Sequence, residues 1–171
     1  MMDINNIKDF FNESNENKNI VIYPFITKQD NKGSIIAPQQ KWLQISKKLA
    51  KSKCIDINQK IYKFRNLIME IDQNHNNDIT CRHDTISDFK HFENFFVTIV
   101  NYQIITYDDF PKLKNYHDEY NVEGKIYKFG TVTMKMITIN NNNCIEICVE
   151  YNSKNCDKII QDLIYVDKIM V

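Results

Sequence analysis

The sequence predicts an α+β fold in which a curved, mostly antiparallel, barrel-like β-sheet is flanked by helices. Strand patterns cluster along the chain instead of alternating with helix patterns, and this order favours antiparallel pairing. Only three glycines and three prolines interrupt the 171 residues, so we expect regular elements joined by short polar turns. A chain of this length is expected to form one compact domain.

We divide the chain into a flexible N-terminal extension, residues 1–19, and a single α+β domain, residues 20–171. The extension is rich in amide side chains, which favour loops over packed elements. Its first half also contains apolar residues with helical spacing, which predict a short helix. These residues are Ile4, Ile7, Phe10 and Phe11.

The domain is predicted to begin with a strand over Ile20–Ile26 and a helix over Pro38–Ser52. Pro24 indicates an edge position or a bend, because proline donates no ladder hydrogen bond. The apolar face of the helix contains Trp42, Ile45 and Leu49, and its last turns carry Lys47, Lys48, Lys51 and Lys53. Lysines there oppose the partial negative charge of the helix end, and without interleaved aromatic residues they indicate a solvated face.

The middle of the chain combines strand patterns with one polar region. Strands are predicted over Ile55–Tyr62, Phe64–Ile71, Phe95–Val100 and Tyr102–Tyr107. The polar stretch Asp72–Phe89 predicts a long loop with room for a hairpin. A helix is expected to begin at Asp108 with Pro111 in its first turn. Its apolar face would contain Phe110, Leu113, His117 and Tyr120.

The last third predicts a strand, a hairpin and a final helix. The strand covers Val122–Gly130, and the hairpin joins Thr131–Ile139 to Cys144–Tyr151 through the turn Asn140–Asn143. In the second hairpin strand, Ile145, Ile147, Val149 and Tyr151 form a buried face, and Glu146, Cys148 and Glu150 form a wetter one. The helix is expected to be capped by Ser153 or Asn155, with Ile159, Ile160, Leu163 and Ile164 as its apolar stripe.

Composition excludes several classes of function. The 22 basic and 22 acidic side chains balance, so the chain lacks the field that attracts nucleic acid, and we expect no direct nucleic-acid binding. No apolar run is long enough to predict a membrane-spanning helix. Met1–Phe11 lacks the cationic and apolar runs of a signal peptide, so we expect an intracellular protein with reduced thiols at its five cysteines.

Metal, cofactor and nucleophile motifs are not found in the sequence. Cys144, Cys148 and Cys156 lack the paired spacing of a structural zinc site. His75, Cys81 and His83 have no fourth ligand spaced with them. No nucleophile elbow, zincin motif or phosphate loop is present. We therefore predict no catalytic residue, cofactor-binding residue or metal ligand, and we do not expect an enzyme.

Four acidic residues keep one enzyme alternative open. Glu70 and Asp72 lie two residues apart on a predicted strand, and Glu146 and Glu150 lie on another. Acids at this spacing point to one face, where they could hold a divalent ion inside a closed sheet. The arrangement resembles that of tunnel-type metal-dependent RNA triphosphatases, although Cys148 interrupts the acidic run and no matching inward lysines or arginines are recognised. A solvated sheet face explains the same residues.

Two blocks of the sequence carry a second resemblance. In Ile20–Lys53 a strand leads through Asn31-Lys32-Gly33-Ser34 into a helix. In the second block, Glu123-Gly124-x-x-Tyr127-x-Phe129 precedes an alternating strand, and a later strand ends in Val149-Glu150-Tyr151. These blocks resemble subunit 20 of the Mediator complex, a head-module subunit also called a TBP-related factor. The sibling subunit 18 shares the general fold and a similar glycine-aromatic stretch, so the choice between the two stays open.

The resemblance implies a non-catalytic coactivator subunit that bridges transcription regulators and RNA polymerase II in the nucleus. Its implied partners are subunit 18 and other head-module subunits, bound through sheet faces or edges. We predict that the interface includes the C-terminal strand residues Tyr127, Phe129, Val149 and Tyr151.

Overall fold

The computed structural model describes residues 2–13, 17–25, 28–29, 35–64, 67–72, 78–83, 89–106 and 118–171. The helices are α1 (Ile4–Asn12), α2 (Gln39–Lys48) and α3 (Cys156–Met170), the last preceded by a short 3-10 turn, Ser153–Asn155. The strands are β1 (Lys18–Pro24), β2 (Lys28–Gln29), β3 (Ile35–Ile36), β4 (Ile55–Phe64), β5 (Leu67–Asp72), β6 (Asp78–His83), β7 (Phe89–His91), β8 (Phe95–Val100), β9 (Tyr102–Thr106), β10 (Asp118–Phe129), β11 (Val132–Ile139) and β12 (Asn142–Tyr151). This is the predicted α+β class with a curled antiparallel sheet.

Ten of the strands form one sheet in the order β7-β8-β1-β12-β11-β10-β4-β5-β6-β9, and β2 pairs separately with β3. Strands β8 and β9 lie near opposite ends of this order, yet only Asn101 separates them along the chain. The sheet therefore curls until its two ends approach each other, in the direction that strand twist favours. The curl gives the sheet an inner face and an outer face.

The helices pack on the outer face of β1, β11 and β12, where the larger apolar core lies. The sheet contributes Ile20, Ile22, Val132, Met134, Ile145 and Ile147 to this core, and the helices contribute Ile7, Phe11, Ile45, Ile159 and Leu163. Each fully buried aliphatic or aromatic side chain stabilises the fold by about 1.5–3 kcal/mol. The outer core thus supplies much of the stability of the domain.

Helix α1 lies in the segment that we expected to be a flexible extension. Its Ile7 and Phe11 are fully buried in the outer core, as their helical spacing suggests. The Asp3 carboxylate caps the helix by accepting from the Asn5 amide at 3.0 Å. The Met2 amide donates to the buried Asp167 carboxylate of α3 at 3.0 Å. The extension therefore contributes a helix to the core.

The C-terminal hairpin confirms the predicted pairing of β11 with β12. Its register joins Val132 to Val149 and Ile139 to Asn142. Asn140 and Asn141 have φ values of 47° and 68°, the left-handed pair that a two-residue hairpin turn requires and that asparagine tolerates. Because the turn takes only two residues, β12 begins at Asn142, before the predicted start.

The structure corrects the prediction for the middle of the chain at β6 and at Tyr120. The predicted loop Asp72–Phe89 contains β6, which pairs with β5 on one side and β9 on the other. The helix predicted from Asp108 falls mostly on residues 107–117, outside the described residues. Its last member, Tyr120, lies in β10 instead. Pairing of β10 with β4 and β11 explains why the ladder overrides the helical spacing there.

Within the described residues, no helix has the length and apolar character needed to cross a membrane.

Candidate functional site

The inner face of the curled sheet is largely filled by a second apolar cluster. Its buried members come from six strands and include Val21, Tyr23, Ile57, Ile61, Phe96, Val100, Tyr120, Val122, Ile137 and Cys144. Aromatic rings pack within it, since the Tyr23 and Phe96 centroids are 5.9 Å apart. This inner cluster occupies space that a large substrate inside the sheet would need.

A small set of charged residues lies beside the inner cluster. Lys135 of β11 pairs in register with Glu146 of β12, and Glu70 of β5 pairs with the inner-cluster residue Ile61. Residues paired across neighbouring strands share a face of the sheet. Strands β5 and β11 are not neighbours, yet Glu70 acts electrostatically on Lys135. The curl therefore brings these three residues together across its interior.

The inward lysine keeps its positive charge. Burial by itself lowers the pKa of Lys135, but negative charges at Cys148, Glu146, Glu70 and Tyr102 outweigh it, so the pKa lies above its ordinary value. The cysteine and tyrosine contribute only when they are ionised, so the two carboxylates matter most near neutral pH. Glu146 is only 4% exposed, and among the described residues Lys135, its register partner on β11, is a cation close enough to act on it.

An open cavity of about 470 Å³ adjoins this charged set at one mouth of the curled sheet. We call it the mouth cavity. Its lining includes Lys128, Thr133, Lys135, Cys148, Glu150 and Tyr102. Lys128 and Thr133 are paired across β10 and β11, and Thr133 is paired with Cys148 across β11 and β12. Glu146 and Glu70 are not among the described residues that line the cavity.

The four acids of the enzyme alternative are only partly brought together. Glu70 and Glu146 share the interior near Lys135, whereas Glu150 is exposed at the mouth. Asp72 ends β5 opposite Gln59, and its side chain lies outside the described part of the structure. Among the described residues, no group of three or more histidine, cysteine or acidic side chains is placed to hold a metal ion.

The cysteines and histidines named from the sequence do not form a shared site in the described residues. Cys144 belongs to the inner cluster, Cys148 lines the mouth cavity, and Cys156 begins α3. Cys81 is buried on β6, and burial raises the pKa of its thiol, with a further contribution from the charge of Glu70. His75 and the His83 side chain lie outside the described residues.

The four predicted interface residues differ in their accessibility. Tyr127, Val149 and Tyr151 are buried in the outer core, with 5%, 2% and 3% exposure. Phe129 is only partly buried against that core. Its ring lies 6.4 Å from Tyr127 in a stacked arrangement and 5.8 Å from Tyr165 of α3. Tyr165 is 57% exposed, so Phe129 and Tyr165 form an aromatic surface that we call the aromatic pair.

Sequence reasoning missed Lys135 and Tyr165. The signal for Lys135 was present, because the hairpin register places it opposite Glu146 once the turn is known to take two residues. Its inward direction depended on the curl, which no local pattern specifies. Tyr165 lies outside the apolar stripe of α3, so helical periodicity gave it no role.

The fold can be compared with solved structures. No protein-family model matches the chain, and no curated protein matches it. The Schizosaccharomyces pombe Pct1 RNA triphosphatase, in complex with the Spt5 CTD, is similar with a TM-score of 0.63 and 6% sequence identity, over 98% of this chain and 91% of that chain.

The Schizosaccharomyces pombe Mediator head module contains another similar chain. Its TM-score is 0.57 and its sequence identity 11%, over 90% of this chain and 94% of that chain. Both likenesses concern the fold alone, because the identities are low. This chain therefore has the curled-sheet fold found in an enzyme and in a subunit of a transcription complex.

Proposed function

We propose that the chain is a non-catalytic subunit of a Mediator head module, of the subunit 20 type, that acts in the nucleus between transcription regulators and RNA polymerase II. The observation that carries this proposal is the inner apolar cluster. A tunnel that processes a triphosphate needs a polar, accessible interior, whereas this interior is filled by side chains such as Tyr23, Phe96 and Tyr120.

The second sequence block that resembles subunit 20 supports the proposal, since it falls on β10 and β12, which both pair with β11 in the sheet, whereas the Asn31-Lys32-Gly33-Ser34 motif of the first block lies outside the described residues. Glu123-Gly124 and Tyr127 lie in β10, and Val149-Glu150-Tyr151 ends β12. The similarity of the chain to a component of a Mediator head module is a second line of support. Neither line depends on a catalytic group.

We propose that the aromatic pair, Phe129 and Tyr165, is part of the contact with subunit 18. Exposed aromatic residues are enriched at the centres of protein interfaces, where they bury a large area. The burial of Tyr127, Val149 and Tyr151 leaves Phe129 as the predicted interface residue with accessible surface. In this arrangement Phe129 packs against the outer core, to which the three buried residues belong.

Co-purification of the recombinant chain with subunit 18 tests this surface. The double variant Phe129→Ser/Tyr165→Ser is expected to reduce complex formation at least about tenfold, as loss of an aromatic hot spot does. Ile164→Ser is the matched control, because Ile164 is 40% exposed and lies in the same helix, about 100° around its axis from Tyr165. If the chain binds subunit 20 and not subunit 18, the chain itself corresponds to subunit 18. Failure to bind either sibling would contradict the proposal.

One observation favours a second candidate, a tunnel-type metal-dependent phosphohydrolase. Glu70, Glu146 and Lys135 share the interior, an arrangement that could hold a metal ion and a phosphate group. The test is hydrolysis of nucleoside triphosphate with manganese or magnesium, comparing the wild type with Glu146→Gln. Activity that Glu146→Gln abolishes would replace the coactivator proposal, and a wild type that is no faster than buffer would end the enzyme candidate.

A further inference from the structure

The end of α2 carries a cluster of lysines in a stretch of sequence that has no acidic residue. Residues 31–55 include six lysines and no aspartate or glutamate, although the whole chain balances 22 basic against 22 acidic side chains. Lys47 and Lys48 lie in the last turn of α2, and Lys51 and Lys53 follow in the turn after it. We call the exposed residues Lys47, Lys51 and Lys53 the lysine surface.

Helix capping accounts for Lys48 but not for the lysine surface. The Lys48 ammonium donates to the carbonyl oxygens of Ile169 and Val171 at 3.1 Å and 3.0 Å, so its charge is used at the end of α3. Within the part of the chain that the structure describes, the ammonium groups of the lysine surface take part in no hydrogen bond or ion pair. Neighbouring unpaired cations repel one another, so an acidic partner would relieve that repulsion.

Exposed apolar side chains flank the lysine surface. Leu43 lies one helical turn before Lys47, on the same face of α2, and is 46% exposed. Ile55 follows Lys53 by two residues and is 61% exposed. Burial of such aliphatic side chains contributes to binding. The partner that fits this surface therefore supplies an apolar contact as well as negative charge.

The side chains around the lysine surface favour a protein partner over nucleic acid or a membrane. Trp42 packs against the outer core with its indole nitrogen buried, so it does not offer a ring on which bases stack. The apolar face of α2, with Ile45 and Leu49, is buried in the same core and does not face a lipid surface. A protein segment can supply carboxylates and an aliphatic side chain together.

We propose that the lysine surface and Leu43 bind an acidic segment of another protein. Carboxylates of the segment contact the three ammonium groups, and an aliphatic side chain of the segment packs on Leu43. Attraction between the opposite charges speeds the encounter, and burial of Leu43 stabilises the complex. The surface does not include the aromatic pair, and the proposal does not rest on the Mediator proposal, so the two are tested independently.

Nuclear magnetic resonance of the 15N-labelled full chain tests the surface. The probe is an acetylated and amidated peptide, Glu-Asp-Glu-Leu-Leu-Glu-Asp-Glu, compared with the same peptide in which every acid is replaced by its amide. We expect saturable shifts of the backbone amides of Leu43, Lys47 and Lys51 with the acidic peptide. The amide peptide should bind at least about tenfold more weakly, and added salt should weaken binding of the acidic peptide.

A triple variant assigns the charged contact to the lysine surface. Lys47→Gln/Lys51→Gln/Lys53→Gln should weaken binding of the acidic peptide about tenfold or more, since three exposed ion pairs are lost together. All three side chains are exposed and unpaired in the described structure, so the variant is expected to fold. Circular dichroism and thermal unfolding check this.

A matched variant separates the position of the charges from their number. Lys8→Gln/Lys128→Gln/Lys154→Gln removes three exposed lysines from α1, β10 and the 3-10 turn, and its affinity should stay within about twofold of the wild type. Leu43→Ser keeps every charge and should weaken binding about fivefold, because it removes the apolar contact.

Four results would overturn the proposal. Equal binding of the acidic and amide peptides is one, and equal losses in the two triple variants is another. The third is an unchanged affinity in Leu43→Ser. The fourth is tighter binding of a 12-base-pair DNA duplex or of phosphatidylserine vesicles at the same amides, which would assign the surface to nucleic acid or to a membrane. Absence of any shift at millimolar peptide would likewise exclude an acidic segment.

Discussion

The Asp162 carboxylate of α3 accepts two hydrogen bonds from Thr131, from its amide at 2.8 Å and from its hydroxyl at 2.7 Å. Thr131 lies in the turn between β10 and β11, so this contact fixes the final helix to the sheet. Lys158 approaches the other carboxylate oxygen at 3.1 Å from one turn earlier in the helix. The contact joins two elements that are far apart in the sequence.

Replacing Asp162 with alanine should lower the free energy of unfolding by about 2 kcal/mol, because the partly buried Thr131 donors lose a charged acceptor. Thr131→Ala should cost less, since its amide still donates to Asp162. Chemical denaturation of both single variants and the double variant measures their coupling. Gln161→Ala, an exposed neighbour, serves as the control. Additive effects of the two substitutions would contradict the contact.

Protonation of the Asp162 carboxylate should account for part of the loss of stability at acidic pH. Burial alone raises the pKa of this carboxyl, but the hydrogen bonds from Thr131 and Lys158 outweigh it and hold the pKa below its ordinary value. A lowered folded-state pKa gives stability that is present above the ordinary carboxyl pKa and is lost as the pH falls through the folded value. Asp162→Asn should therefore lose less stability than the wild type on acidification below about pH 4. Parallel acid profiles would contradict this role.

Of the two glycines in the described residues, Gly124 is predicted to be the more sensitive to substitution. Its φ is 154°, and a Cβ atom there would lie 2.1 Å from the backbone oxygen of Met136 in the paired strand β11. Gly124→Ala should therefore destabilise the fold by about 3 kcal/mol or more, because strand β11 would have to shift. Soluble yield and thermal unfolding measure the effect.

Gly130→Ala provides the comparison for Gly124. Its φ is 64°, and the added Cβ would meet the Asp162 carboxylate at 2.5 Å, so the carboxylate would have to shift against its hydrogen bonds from Thr131. We expect a loss of about 1–2 kcal/mol there, from the left-handed backbone and the weakened Thr131 contact. A Gly124→Ala variant as stable as Gly130→Ala would show that the ladder tolerates the methyl group.

Lys48 should stabilise the end of α3 from the neighbouring helix. Its ammonium donates to the carbonyl oxygens of Ile169 and Val171 at 3.1 Å and 3.0 Å, where an α-helix leaves carbonyls unpaired. Lys48→Met should cost about 0.5–1 kcal/mol, and added salt should reduce the difference. Lys47→Met, on the solvent face of the same turn, should have little effect. Equal losses in the two variants would argue against the cap.

Lys135 should be needed to keep Glu146 buried. Lys135→Met leaves an uncompensated carboxylate in the interior and should cost about 3 kcal/mol. The double variant Lys135→Met/Glu146→Gln should regain a large part of this loss, because the buried charge is removed as well. Unfolding free energies of the wild type and the three variants give the coupling. A double variant that is less stable than Lys135→Met would contradict the electrostatic account.

Much of the fold could be predicted because local patterns and pairing agree. In β12 the alternation of Ile145 and Ile147 with Glu146 matches the two faces of the sheet, and the asparagine turn matches a two-residue hairpin. Where the local sequence pattern and the pairing of neighbouring strands disagree, the strand pairing determines the structure. The polar strand β6 had no apolar alternation to reveal it, and only its neighbours β5 and β9 stabilise it.

The candidate site could not be predicted to the same extent, because it depends on the curl of the sheet. From the sequence, Glu146 is predicted to be a solvated residue on the wetter face of the hairpin. In the structure, the curl of the sheet turns that face inward, and Glu146 is buried. Lys135 and Glu70 lie on strands that are separated both in the sequence and in the sheet. Lys135 and Glu70 come close because the whole sheet curls, so no sequence motif or residue spacing could predict that they do.

The central claim is that the chain works as a Mediator head subunit, and affinity purification of the tagged protein from its own cells tests it most directly. Mass spectrometry of the purified material would identify and quantify the bound proteins. We predict recovery of subunit 18 and other head-module components in amounts comparable to the tagged chain. Recovery of the tagged chain alone, together with triphosphate hydrolysis by that material, would contradict the claim and favour the enzyme.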